Sequence, residues 1–216
     1  LWKILDPDGY AYLLRKTSNL FVDISNCYST GRIGNYSGSL VPSGINCSQN
    51  ITITNCYNTG DVGNNGGGLC GNKGGQNNGE ITITNCYNTG QIGQEAGGLC
   101  GQNAGENNGN ITITNCYNTG TIGYDEIGLC GPNAGDTSGN VAITNSYNTG
   151  QIGQEAGGLC GQNAGLTNGK ITITNCYNTG SLDTNSKSIV GSLSNDCNSF
   201  DMSYVYTSTE TEQEIN

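Results

Sequence analysis

The eleven cysteines of this 216-residue chain are the side chains with the widest choice of chemistry. Cysteine can form disulfides, bind metals or act as a nucleophile. The chain has no C-x-x-C pair and no histidine, so we expect neither a metal site nor a cofactor. Eight of the cysteines recur in steps of thirty residues or a multiple of thirty, and they form two columns: Cys56, Cys86, Cys116 and Cys176; and Cys70, Cys100, Cys130 and Cys160. A nucleophile repeated this often without a nearby base has no mechanism, so we expect no catalytic thiol.

Two interpretations of the columns remain, disulfide bonds and reduced thiols packed in a narrow core. Ser146 and Val190 stand where the repeat would place cysteine. Pairing within a repeat would leave Cys160 and Cys176 single, whereas pairing between successive repeats would leave Cys130 opposite Ser146. Serine and valine are also close in size to a buried thiol, so we favour the packed ladder over the disulfides. Because eleven is odd, at least one thiol is free or bonded to another chain.

Threonine recurs with the same period and supplies a candidate binding face. In the segments that read ITIT, isoleucine and threonine alternate, so the two residue types would lie on opposite faces of a strand. Flat files of Thr-x-Thr resemble the water-ordering surface of insect ice-binding proteins, although threonine is also common on exposed strands. The candidate face consists of Thr52, Thr54, Thr82, Thr84, Thr112, Thr114, Thr144, Thr172 and Thr174.

Tyrosine and asparagine form further columns. An exposed tyrosine column would bind a protein or a glycan ring, whereas a packed column would be structural. The candidate aromatic column is Tyr57, Tyr87, Tyr117, Tyr147 and Tyr177. A ladder of hydrogen-bonded amides at a turn is predicted for Asn55, Asn85, Asn115, Asn145 and Asn175.

The carboxylates argue against an enzyme. Glycan-active β-helix enzymes cluster acidic and basic side chains in one cleft. Here Glu95 and Glu155 are two repeats apart, about 10 Å at the usual strand spacing, and no arginine follows Arg32. The glycine-rich segments also lack the aspartates of a calcium β-roll and the lysine of a phosphate loop. We predict that the protein is not an enzyme and keep a glycan-active enzyme as the last alternative.

The repeat itself predicts the elements that position these residues. The alternating, β-branched ITIT favours a strand, and the density of glycine disfavours helices. Two more short strands are expected around Ile92 and Leu99, with turns of glycine and asparagine between them. Stacked repeats would form one all-β, parallel β-solenoid of about six coils, with thirty residues per coil rather than two turns of fifteen. The copies are ITITNCYNTG at 51–60, 81–90, 111–120 and 171–180, and VAITNSYNTG at 141–150.

The motif Gly-Leu-x-Gly at 98–101, 128–131 and 158–161, preceded by NCYNTG, resembles the GLUG repeat. Trp2, Ile4 and the segment 9–13 are similar to an element often found beside such arrays, with Ala11 in place of its proline. The resemblance covers about 24–192. It implies a right-handed parallel β-helix and a place in large, mostly bacterial surface or secreted proteins, and similar repeats are familiar from large DNA viruses. It implies no catalytic residues.

These observations divide the chain and give it a provisional function. We expect an N-terminal cap or junction over 1–23, the solenoid over 24–192, and a C-terminal cap with an acidic tail over 193–216. The net charge of −10 argues against binding of nucleic acid, and no apolar run is long enough for membrane insertion.

The expected function is a structural or interaction module outside the cell, at the cell surface or in a virion. Its partners would be other protein chains, in lateral or end-to-end contact, and glycans. The first alternative is an ice- or carbohydrate-binding solenoid that uses the Thr-x-Thr face.

Overall fold

The computed structural model describes residues 4–5, 11–12, 21–43, 50–122, 128–191 and 196–207. Most of the predicted N-terminal cap, and residues 208–216 of the predicted C-terminal cap and acidic tail, therefore lie outside the described residues, as does Cys47. In the described part the chain is all-β: it has sixteen strands and no helix. It accordingly contains no helix that is long and apolar enough to cross a membrane.

Two parallel sheets of seven strands each run along the molecule. The first consists of five-residue strands: β3 (Phe21–Ser25), β5 (Asn50–Thr54), β7 (Glu80–Thr84), β9 (Asn110–Thr114), β11 (Asn140–Thr144), β13 (Lys170–Thr174) and β15 (Ser199–Ser203). The second consists of two-residue strands: β4 (Tyr28–Ser29), β6 (Tyr57–Asn58), β8 (Tyr87–Asn88), β10 (Tyr117–Asn118), β12 (Tyr147–Asn148), β14 (Tyr177–Asn178) and β16 (Tyr206–Thr207). A separate antiparallel pair joins β1 (Ile4–Leu5) to β2 (Ala11–Tyr12).

Each strand of the two sheets pairs with its copies in the neighbouring repeats. Ile81 lies beside Ile51 and Ile111, and Tyr87 beside Tyr57 and Tyr117. This register confirms the parallel β-solenoid, with about thirty residues in one turn. Both sheets continue past residue 192 into β15 and β16, so the segment predicted to form the C-terminal cap adds one more strand to each sheet.

The prediction of three strands in each repeat needs correction. The segments around Ile92 and Leu99 form only isolated parallel bridges, at Ile92, Gly97 and Cys100. The second strand of the repeat is instead Tyr87–Asn88. Glycines flank the two expected strands, and glycine weakens a regular strand because it loses more backbone entropy and offers no side chain to pack.

The core consists of two apolar stripes inside the coil. The larger contains the inward isoleucines of the long strands, the leucine of Gly-Leu-x-Gly and both cysteine columns; Ile83, Leu99 and Cys86 are completely buried. The smaller stripe contains Ile92, Ala96 and their equivalents in other coils. Each coil buries its apolar side chains against the coils on either side, so a single repeat could not form this core alone.

Two asparagine ladders hold the corner between the sheets. The predicted exposed ladder is present: Asn115 donates to Asn85 Oδ1 at 3.2 Å, and its φ of 54° is left-handed, which asparagine tolerates well. The second ladder was not predicted. Asn118, which is completely buried, donates to Asn148 Oδ1 at 2.8 Å and to the Gly120 carbonyl at 2.9 Å, and it accepts from Asn88 Nδ2 at 2.8 Å.

The glycine that ends each NCYNTG segment is required by the stacking of these corners. A Cβ built on Gly120 would lie 1.9 Å from the carbonyl oxygen of Gly90 in the preceding coil. No side chain fits in that space, because the obstacle is backbone. The corner after each NCYNTG segment therefore needs its glycine.

The two ladders should respond differently to truncation. We expect Asn118→Ala to lower the free energy of unfolding by about 2–4 kcal/mol, since it leaves buried polar groups of Asn88 and Asn148 without a partner. Asn115→Gly removes an exposed amide but keeps the left-handed backbone, and we expect it to cost about 1 kcal/mol or less. Urea denaturation measures both. Equal losses would contradict the structural importance assigned to the buried ladder.

Candidate functional site

The Thr-x-Thr residues form straight files on the outer surface of the long-strand sheet. In β7 the burial alternates strictly: Ile81 and Ile83 are buried, whereas Thr82 and Thr84 are half-buried and face outward. The same pattern holds in every complete repeat, and the strand pairing puts each threonine beside its copy. Ala142 interrupts one file. The predicted candidate residues therefore share one regular surface, spaced at about 4.8 Å along the rod.

The tyrosine column is a continuous stack of rings on the outside of the solenoid. Six rings, from Tyr28 to Tyr177, have centroids 4.7–5.2 Å apart and planes within 9° of parallel. Burial, together with the neighbouring rings, raises the pKa of Tyr117 and Tyr147. The inner rings cover one another's faces, so the column presents ring edges to a partner. A glycan ring normally stacks on an open aromatic face, and only the ends of this column resemble such a surface.

The first cysteine column is a hydrogen-bonded ladder as well as a packed one. Cys86 Sγ accepts the backbone N–H of Cys56 at 3.3 Å and donates to the Thr84 carbonyl at 3.1 Å. Ser146 takes over both roles in its coil: its Oγ accepts the N–H of Cys116 at 3.1 Å and donates within its own repeat at 2.8 Å. This explains in physical terms why serine can replace cysteine in this column.

The second cysteine column lies inside the core beside the leucine of each Gly-Leu-x-Gly. Cys70, Cys100 and Cys130 are completely buried. Hydrogen bonding to the thiols of Cys100 and Cys160, followed by burial, raises the pKa of Cys130. In the first column, a hydrogen bond to Cys116 is the largest of the effects that raise the pKa of Cys86 to about 12. The thiols of Cys130 and Cys86 therefore stay protonated at neutral pH, which is the opposite of what a nucleophile requires.

All eight column cysteines are free thiols. The packed ladder favoured from the sequence is therefore the observed arrangement, and the disulfide alternative is not. Among the described residues no group of three or more cysteine, aspartate or glutamate side chains is placed to hold a metal ion.

Glu95 and Glu155 line one polar groove of about 270 Å³, together with Gln102, Asn133 and Gln162. The carboxylate of Glu95 accepts hydrogen bonds from Asn65 Nδ2 at 2.7 Å and Gln102 Nε2 at 2.8 Å. Paired glycosidase carboxylates are about 5–9.5 Å apart, and two coils separate these glutamates by about 10 Å. The groove thus combines the polarity of a glycan site with two carboxylates that come from coils two apart along the rod.

Sequence reasoning singled out Glu95 and Glu155 but missed the other groove residues and the buried asparagine ladder. Gln102 and Gln162 repeat with the same period as the cysteines, so their alignment was visible in the sequence. What was not visible is that the corner at residues 94–96 and the segment after each Gly-Leu-x-Gly come together across the coil. No motif indicates that contact.

Comparison with known proteins adds no assignment: no family model, no curated protein and no solved structure matches this chain.

The first cysteine column can be tested with a substitution that the chain already contains. We expect Cys86→Ser to reduce the free energy of unfolding by less than about 1 kcal/mol, because the hydroxyl can make both hydrogen bonds, as Ser146 does. We expect Cys86→Ala to cost about 1–3 kcal/mol more, because the buried N–H of Cys56 loses its acceptor. Chemical denaturation under reducing conditions compares them. If alanine and serine were equivalent, the column would be held by apolar packing alone.

Proposed function

We propose that the protein is a non-enzymatic structural or interaction module, a GLUG-type β-solenoid rod displayed in an adhesin-like cell-surface array or in a virion coat. The observation that carries this proposal is the in-register stacking of identical outward side chains over the whole solenoid. Such a rod offers a partner the same chemical group every 4.8 Å or so. Many weak, equivalent contacts can then add up to a firm attachment.

The interior of the rod supports a mechanical role. Buried amide and thiol ladders connect each coil to the next by side-chain as well as backbone hydrogen bonds. Connections of this kind make separation of two coils costly, because buried polar groups would lose their partners. A rigid spacer that keeps its lateral faces in fixed register suits an extracellular or virion assembly, with other protein chains as lateral partners.

The location can be tested directly in the organism that encodes the chain. We expect immunogold electron microscopy, with an antibody raised against the folded rod, to label the outer surface of unpermeabilised cells or of released virus particles. The control is the same antibody preincubated with excess rod, which should remove the label. Label that appears only after permeabilisation, inside cells and not on particles, would contradict this proposal.

Ice binding remains the second candidate because the two threonine files are regular and face outward. On the first proposal we expect no thermal hysteresis and no shaping of ice crystals at about 100 µM protein. A matched pair of variants tests the face if hysteresis is found: Thr112→Tyr places a bulky ring in the middle of the files, and Thr119→Tyr alters an exposed threonine at the corner. Hysteresis that is lost in the first variant and kept in the second would assign ice binding to the Thr-x-Thr face.

A further inference from the structure

In the part of the chain that the structure describes, the long-strand sheet ends in β3 and β15, each of which pairs with another strand on one side only. Among the described residues no strand pairs with the outer side of β3 or β4 at one end, or of β15 or β16 at the other. An open edge presents unpaired N–H and C=O groups and is a template for another chain. Because β3 and β15 are parallel copies of the same strand, β15 of one rod could pair with β3 of a second rod in the register that the strands use inside each rod.

The side chains at the two ends match at most positions. If a second rod continued the register, the inward Phe200 and Met202 of β15 would meet the inward Val22 and Ile24 of β3, apolar on apolar. Tyr206 and Tyr28 are both more than half exposed, and they would lie opposite each other in the continued short-strand sheet. Such a head-to-tail contact is heterologous and does not close, so it would produce filaments.

One position opposes this contact. Asp23 pairs with Thr52 in β5, and Asp201 pairs with Thr172 in β13, so both aspartates belong to the same outward file. Between them the file contains only threonine and one alanine. Within this file, carboxylates therefore occur only in the two edge strands, and both are exposed.

We propose that Asp23 and Asp201 prevent the rods from joining end to end. In a continued register the two carboxylates would face each other directly, about 4.8 Å apart, and like charges directly opposite each other destabilise strand pairing. The other outward residues of the two edge strands are Phe21, Ser25, Ser199 and Ser203, none of which carries a compensating positive charge. This inference goes beyond the proposed function and applies wherever the rod is displayed. It separates the two predicted kinds of protein contact: lateral contacts stay open, and end-to-end contacts with a second copy are blocked.

Charge reversal tests the inference in the full chain, by sedimentation velocity over about 1–100 µM and by negative-stain electron microscopy. We expect the native protein to sediment as a single rod. Asp23→Lys alone should associate head to tail, because the introduced lysine meets Asp201 of the next copy, and Asp201→Lys alone should do the same. The association constant should rise at least about fivefold over the native protein, and high salt should weaken it. The particles should lengthen in steps of roughly 34 Å, because each added rod contributes seven strand spacings of about 4.8 Å.

The double variant D23K/D201K supplies the decisive comparison. It places lysine opposite lysine, so we expect it to remain a single rod although it carries less net negative charge than either single variant. Glu80→Lys changes the net charge by the same amount as each single variant, in the middle of the same face, and should leave the rod single.

The proposal is overturned if the native protein polymerises at neutral pH, if neither single variant associates, or if the double variant associates as strongly as the single ones. Circular dichroism on each variant verifies that the β-fold is kept, and D23T/D201T, which restores threonine in the file, provides a second folded variant expected to associate.

Discussion

The whole structure depends on one constraint, the stacking of each residue on its own copy about 4.8 Å away. A side chain is suited to a file only if it interacts favourably with an identical side chain. Asparagine meets this condition because its amide both donates and accepts, tyrosine because rings stack, and isoleucine because it packs. Buried thiols and glycine meet it as well. The composition of the chain, rich in glycine and asparagine, is a consequence of this condition.

The same constraint accounts for the scarcity of charge. Only 11% of the residues are charged, and within the Thr-x-Thr files the charged side chains stand in the terminal strands. A carboxylate in every coil would place like charges in a row at short distance, which opposes the stacking that forms the core. Among the described residues the buried ionisable groups are thiols. The neutral form of Cys86 and Cys130, whose pKa is raised, suits the low polarity of the core. Stability and surface regularity thus have one physical origin.

Because the coils repeat, the outer surface of the rod says more about how it could bind a partner than any single pocket does. A solenoid places its distinctive chemistry in lines along the rod, and the threonine, tyrosine and exposed asparagine files run in parallel. The groove beside Glu95 combines carboxylates with amides from two segments of the coil. Recognition by such a molecule rests on repetition along its length.

The amino-acid sequence by itself determined the fold class, the period of the coil, the inward isoleucines, the two cysteine columns and the exposed ladder at Asn85. All of these follow from residue type and spacing, which the stacking of identical repeats converts directly into contacts. Only the tertiary structure decided that Asn88, three residues further on, points into the core, that the second strand is Tyr87–Asn88, and that the tyrosine rings face outward. The left-handed turn at Asn85 interrupts the alternation of inward and outward side chains along the chain. Which side chains after Asn85 face the core therefore depends on how the backbone closes the coil in three dimensions.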